Sequence, residues 1–236
     1  MQQIQCTDVT LGYDNNIILK DLSFAIDRGA YLCVVGENGS GKSTLVKALL
    51  RLIKPLSGKI EIEGETVPSK KIGYLPQQSE ISDDFPATVR EIVLSGCNPS
   101  KLRLFFCKAE RKKADFIMNR LGISSLARKN FNELSGGQKQ RTLLARALCS
   151  AGDILLLDEP ASALDPNATR EMYDIIKELN TNENITVIIV SHDISAALSF
   201  STHILHIGNN QIFFGTKDEY IKSPVCRAFL KEKEGI

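Results

Sequence analysis

The sequence predicts an α/β fold, and three features carry that reading. Tyr31-Leu-Cys-Val-Val35 is a strand-sized apolar run that leads directly into Gly36-Glu-Asn-Gly-Ser-Gly41 and then into a helical pattern. Ile154–Leu157 and Ile185–Val190 are almost continuously apolar, as parallel strands covered on both faces must be. Between those two runs, Asp165-Pro166 reads as a helix N-cap with Pro at the first helical position, where the missing N–H costs nothing. Strand, glycine turn, helix and buried strand in that order describe a sheet flanked by helices.

The remaining elements follow along the chain. From Ile4 to Asp27, apolar residues alternate with turn signals at Gly12 and Asp14-Asn15-Asn16, which predicts short antiparallel strands. After the glycine turn, Leu45, Ala48, Leu49 and Leu52 fall on one helical face. Ile72-Gly-Tyr-Leu75 is a strand candidate ending at Pro76-Gln77, and Pro86 to Ser150 reads as mostly helical. There Ala114, Ile117, Met118 and Leu121 share a face, and Gly122 is placed to end their helix. The helix opened by Asp165 is expected to bury Met172, Ile175, Ile176 and Leu179. We expect one domain over residues 1–236, with a core of about 1–85 and 151–215, a helical insertion of about 86–150 and a closing segment, 216–236.

Composition narrows the function classes. Of 236 residues, 43% are hydrophobic and 24% charged, a mixture that buries a sizeable core. With 29 Lys and Arg against 28 Asp and Glu the net charge is +1, so nothing global points to nucleic acid. Six scattered cysteines without a C-x-x-C pair read as reduced thiols. No run approaches the ~18 apolar residues that a membrane-spanning helix needs, and MQQIQCTDVT lacks the layout of a signal peptide. A soluble intracellular protein is the expectation. His203 and His206 have no acid or Cys at ligand spacing and read as structural. Lys101 to Asn130 hold nine Lys and Arg against Glu110 and Asp115, a local surplus of +7. The surplus reads first as a solvated helix face, with anionic lipid headgroups or an acidic partner loop as the functional alternative.

Gly36-Glu37-Asn38-Gly39-Ser40-Gly41-Lys42-Ser43 matches G-x-x-x-x-G-K-[ST] in the strand–loop–helix context that the motif requires. Glycines let successive N–H groups face phosphate oxygens with no Cβ in the way, and the helix N-terminus adds its positive dipole end. Lys42 is the candidate for the β- and γ-phosphates and Ser43 for Mg²⁺, with Thr44 beside them. Ile154-Leu-Leu-Leu-Asp158-Glu159 ends an apolar strand in two carboxylates. Asp158 is the candidate to hold Mg²⁺ and Glu159 to orient or deprotonate a water.

Further residues make the pattern specific. Leu134-Ser135-Gly136-Gly137-Gln138, followed by Lys-Gln-Arg141, resembles the LSGGQ signature of ABC-type ATPases. Gln77 resembles their Q-loop residue, Ser162-Ala-Leu-Asp165 the D-loop, His192 the switch histidine and Tyr13 the aromatic A-loop residue. The resemblance runs from about Ile4 to Gly215 with every motif in family order. It implies a P-loop NTPase (RecA-like) core, an antiparallel β subdomain and an inserted helical signature subdomain. It also implies ATP and Mg²⁺ as cofactors, with Ser43, Gln77 and Asp158 at the metal and Glu159, His192 and Gln77 in catalysis. Such ATPases work as head-to-tail pairs. Ser135, Gly136, Gly137 and Gln138 of one copy would meet the γ-phosphate held by the other, Asp165 would set the register between them, and Tyr13 would stack on adenine.

A single cassette of this kind resembles the ATP-binding subunit of a prokaryotic-style importer. That resemblance implies a membrane permease as partner, indirectly a substrate-binding protein, and a cytoplasmic, peripheral location on the inner face of the membrane. Only 57 residues separate Gln77 from Ser135, too few for the coiled-coil insertion of chromosome-associated members. The stretch Gln77–Gly96, with its acids, Phe85-Pro86, Thr88-Val89 and Val93-Leu94-Ser95-Gly96, is similar to the matching segment of zinc and manganese importer ATPases. Siderophore or other small-solute importers, and the soluble ABC ATPase of iron–sulfur cluster assembly, share the nucleotide motifs and differ in partner.

Overall fold

The computed structural model describes residues 2–14, 16–63, 72–77, 86–97, 106–162, 164–191 and 198–234. The chain divides into two compact units, residues 1–69 with 184–236, and residues 70–183.

In the first unit, β1 (Gln2–Tyr13) pairs antiparallel with β2 (Asn16–Asp27) on one side and β4 (Ser57–Ile62) on the other. The β1–β2 connection is tight, with Tyr13 opposite Asn16 and Asp14 in a left-handed conformation at φ 51°, where the sequence signalled a turn. A second sheet is centred on β3 (Tyr31–Val35), every residue of which is buried. It pairs in parallel with β7 (Thr186–Val190) and β8 (His203–Ile207), and β8 pairs antiparallel with β9 (Gln211–Thr216). Two helices, α6 (Lys217–Lys222) and α7 (Pro224–Glu234), close the chain. Thr216 caps the first of them in a reciprocal box with Glu219.

The helix after the glycine turn, α1 (Lys42–Leu49), is shorter than the apolar spacing predicts. Leu52 lies beyond its end and is 68% exposed. Arg51 takes a left-handed conformation, φ 61°, and the two amides that follow the cap bond back, Arg51 N–H to Ala48 O at 3.0 Å and Leu52 N–H to Lys47 O at 2.8 Å. That pair of bonds ends a helix, here without the usual glycine.

In the second unit, β5 (Ile72–Leu75) pairs in parallel with β6 (Ile154–Asp158). Four helices accompany them: α2 (Val89–Ser95), α3 (Lys108–Arg120), α4 (Gly136–Ser150) and α5 (Pro166–Glu183). The predicted face of α3 is buried, and the helix ends at Gly122, φ 69°, whose N–H donates to the Asn119 carbonyl while the Ile123 N–H donates to the Met118 carbonyl. Asp165 Oδ1 accepts from the amides of Asn167 and Ala168, both at 3.0 Å, which is the expected cap of α5. The buried stripe of α5 is Met172, Tyr173, Ile176, Leu179 and Asn180, and Ile175 is half-buried. All six cysteines are free thiols, and burial pushes Cys6 and Cys149 up to about 12, which keeps them protonated and unreactive.

Helix α2 approaches α4 across Gly96, where an added Cβ would stand 2.0 Å from the Arg146 carbonyl oxygen. Because that neighbour is backbone, Gly96→Ala should cost about 2 kcal/mol or more. The midpoint of thermal unfolding is expected to fall by roughly 5 °C, and an unchanged midpoint would contradict this packing.

Candidate nucleotide site

The loop Gly36–Gly41 joins β3 to α1, and its shape follows from its glycines. Gly39 and Gly41 sit at φ 82° and 96°, where a Cβ is strained. Gly36 passes so close to β8 that a Cβ would lie 2.2 Å from the Ile207 carbonyl oxygen. Lys42 is only 8% exposed, and its Nζ donates to the carbonyls of Gly36 at 2.8 Å and Glu37 at 2.6 Å. Ser43 is exposed at the start of α1, and Thr44 is buried behind it. Glu37, Asn38 and Gly39 face solvent, whereas Ser40 is buried with no hydrogen-bond partner for its Oγ among the described residues. Tyr13 stands 42% exposed, with Lys47 Nζ 5.7 Å from its ring centre, so the aromatic residue and the helix that follows the loop are neighbours.

Beside the loop lies a cleft of about 610 Å³ between Glu37–Ser40, His206 and α7 residues such as Phe229. Sequence reading took His206 as structural. Its ring is buried, meets Tyr220 Oη at 3.0 Å and packs 4.5 Å from the Phe229 ring. Burial holds its imidazole below the ordinary value, with Glu37 opposing that shift and Lys42 adding to it. The contact with Tyr220 was not legible, because the two residues come from different elements.

In the second unit, β6 is buried along its length and ends at Asp158, itself nearly buried. Glu159 follows in a left-handed conformation, φ 48°, uncommon for a residue with a side chain. The turn is tied on both sides: Gln140 Nε2 donates to the Pro160 carbonyl at 2.6 Å, and Ser162 N–H to the Glu159 carbonyl at 3.2 Å. Gln77, just past the end of β5, donates through Nε2 to Glu159 Oε2 at 3.0 Å. Two residues singled out separately in the sequence, 82 positions apart, therefore meet.

Ser135 and Gln138 cap α4 reciprocally: Ser135 Oγ accepts from the Gln138 amide at 3.4 Å, and Gln138 Oε1 from the Ser135 amide at 3.2 Å. The amides of Gly136 and Gly137 open the helix, where an α-helix offers no internal acceptor. Gly136 and Gly137 line a cleft of about 430 Å³ together with Asp165, Arg141 and Glu171. His192, and Gln78–Phe85 of the stretch after Gln77, lie outside the described residues. No group of three or more His, Cys, Asp or Glu able to hold a metal ion occurs among the described residues, and no helix among them is long and apolar enough to cross a membrane.

Residues 19–162, more than half of the chain, match the family model described as ABC transporter. The chain is 35% identical over 223 residues to the zinc uptake system ATP-binding protein ZurA of Listeria innocua, covering 92% of this chain and 87% of that one. It is 34% identical over 219 residues to the manganese transport system ATP-binding protein MntB of Bacillus subtilis, covering 91% and 87%. Among solved structures, a metal-chelate type ABC transporter in an inward-facing conformation superposes with a TM-score of 0.87 at 29% identity, over 98% of this chain and 89% of that one. The cassette MJ0796, dimeric and bound to ADP and Pi, superposes with a TM-score of 0.76 at 28% identity, over 91% and 98%. The fold is that of an ATP-binding cassette, a P-loop NTPase. The chain belongs to the ABC transporter family and is an ATPase.

Because burial lowers the His206 pKa in the folded state, the unfolded chain binds the proton more readily as pH falls through about 6.5, and stability is lost in that window. Urea midpoints measured from neutral to mildly acid pH should drop more steeply for the wild type than for His206→Gln. Parallel slopes would mean that the buried ring carries no such linkage.

Proposed function

We propose that this chain is the ATP-hydrolysing subunit of an importer for a divalent metal ion such as zinc or manganese. The observation that carries the hydrolytic part is the 3.0 Å bond from Gln77 to Glu159. It joins the residue expected to sense the γ-phosphate to the residue expected to activate water. The metal cargo rests on relatives of known naming that cover about nine tenths of the chain. A metal chelate is the second reading, favoured by the 0.87 TM-score to a metal-chelate type transporter.

In this reading the amides of the loop and of α1 receive the phosphates. Lys42 exchanges its bonds to the Gly36 and Glu37 carbonyls for bonds to phosphate oxygens, so the loop is held in shape until the nucleotide arrives. Ser43, Gln77 and Asp158 carry the oxygen donors that would hold Mg²⁺, which when bound would neutralise charge on the phosphates. Glu159 takes the proton of the attacking water, Gln77 fixes its carboxylate, and His192 serves the γ-phosphate. Tyr13 stacks on adenine. The free amides of Gly136 and Gly137, with Ser135 and Gln138 beside them, meet the γ-phosphate bound by a second, head-to-tail copy. Asp165 sets the register between copies. The chain acts as one cassette, with a helical insertion and a closing segment. It sits at the inner face of the membrane through a permease that a substrate-binding protein feeds, and nucleic acid has no part.

Glu159→Gln should bind ATP yet hydrolyse it roughly 10²-fold or more slowly, and should elute as a dimer with ATP in gel filtration. Turnover at the wild-type rate would remove Glu159 from water activation. Lys42→Ala should lose ATP affinity in a direct binding assay, and equal affinity would take Lys42 out of the site. Cells carrying only the Glu159→Gln chain should fail to take up labelled zinc or manganese. Normal uptake of both ions would refute the cargo assignment while leaving the ATPase intact.

A further inference from the structure

The basic surplus of Lys101–Asn130 is sorted by the structure into cations that the fold uses and cations that it does not. Lys113 donates to the Cys149 carbonyl at 2.8 Å, tying α3 to α4, and Arg120 pairs with Glu178 and Glu183. Both acids of the stretch are engaged as well. Glu110 accepts from the Cys107 amide at 2.6 Å, and Asp115 pairs with Arg90. Five described cations of the stretch have no ion pair among the described residues: Lys108, Arg111 and Lys112, exposed on α3, and Arg128 and Lys129, exposed beyond it.

Lys108, Lys112 and Phe116 are spaced four apart and form one row along the helix, with Arg111 beside them. Phe116 is 68% exposed, while Ala114, Ile117 and Met118 of the same helix are buried. A merely solvated face accounts for the cations but not for an aromatic ring held out among them. The neighbouring sequence offers no acid to neutralise them, since 98–105 contributes only Lys101 and Arg103 as charged residues.

We propose that this face of α3 rests on an anionic lipid surface, with Lys108, Arg111 and Lys112 against headgroup phosphates and the Phe116 ring entering the interface. Complementary charge draws the helix to the membrane surface, and the aromatic ring adds the short-range apolar part of the contact. The contact is made by this chain itself and does not depend on the permease or on the metal cargo.

The test is co-sedimentation of the full chain, without any permease, with vesicles of equimolar phosphatidylcholine and phosphatidylglycerol and with vesicles of phosphatidylcholine alone. Binding is expected only to the mixed vesicles and should weaken with salt. At about fivefold per cation removed, Lys108→Ala with Lys112→Ala should bind roughly 25-fold more weakly. Phe116→Ala should leave a weaker contact that salt removes completely. All three changes are on the surface, so ATP turnover in solution should be unchanged and serves as the control for folding. Failure of the wild type to bind the mixed vesicles, or equal binding by the double variant, would overturn the proposal. If the wild type ignores lipid but the double variant loses a solubilised protein partner, the face serves an acidic protein surface instead, and the lipid reading is wrong.

Discussion

The ammonium of Lys42 is buried, and the protein satisfies it with its own backbone, through the Gly36 and Glu37 carbonyls. A buried charge left unpaired is costly, so the carbonyls have to be in place before any phosphate is. Their position is inherited from rigid surroundings. Strand β3 is buried throughout, Gly36 lies against β8 with no room for a Cβ, and α1 buries Leu45, Val46, Ala48 and Leu49 behind the loop. The consequence is a loop whose curvature is set by packing and whose lysine is held by the loop's own carbonyls. Pre-organisation of this kind lowers the ordering cost of binding.

The second unit solves a related problem with caps and a strained turn. Glu159 stands in a left-handed conformation, held by bonds on either side, and its carboxylate is fixed by Gln77. In α4 the side chains of Ser135 and Gln138 are consumed by each other's backbone. That arrangement steadies the helix end and leaves the two glycine amides as its open donors. Both units therefore present a helix N-terminus preceded or opened by glycine, the element best suited to an anionic ligand.

Much of this was legible in the sequence because it is local. A glycine loop between a strand and a helix, the Asp165-Pro166 start of α5 and the Gly122 end of α3 each depend on neighbours a few residues away. The residues of the signature, the Q-loop and the D-loop were found by family resemblance, and their geometry was not. Nothing in the spacing of Gln77 and Glu159 says that they touch. The apolar spacing carried α1 one turn too far, to Leu52, because the helix stops at Leu49 and the chain turns through a left-handed Arg51, a residue with no helix-stopping signature. Arg51 is held there by a long-range bond from its guanidinium to the Ile60 carbonyl. The stripe of α5 was rotated slightly for the same kind of reason: Tyr173 and Asn180 are buried by tertiary packing that periodicity does not encode.

The account stands on the claim that this ATPase powers a membrane permease. The most direct measurement is to isolate tagged Glu159→Gln chain from detergent-solubilised membranes with ATP present and identify what co-purifies. The account predicts a polytopic membrane protein in stoichiometric amount. Recovery of soluble partners alone, with all of the chain in the cytosolic fraction, would contradict it and direct attention to soluble ABC ATPases.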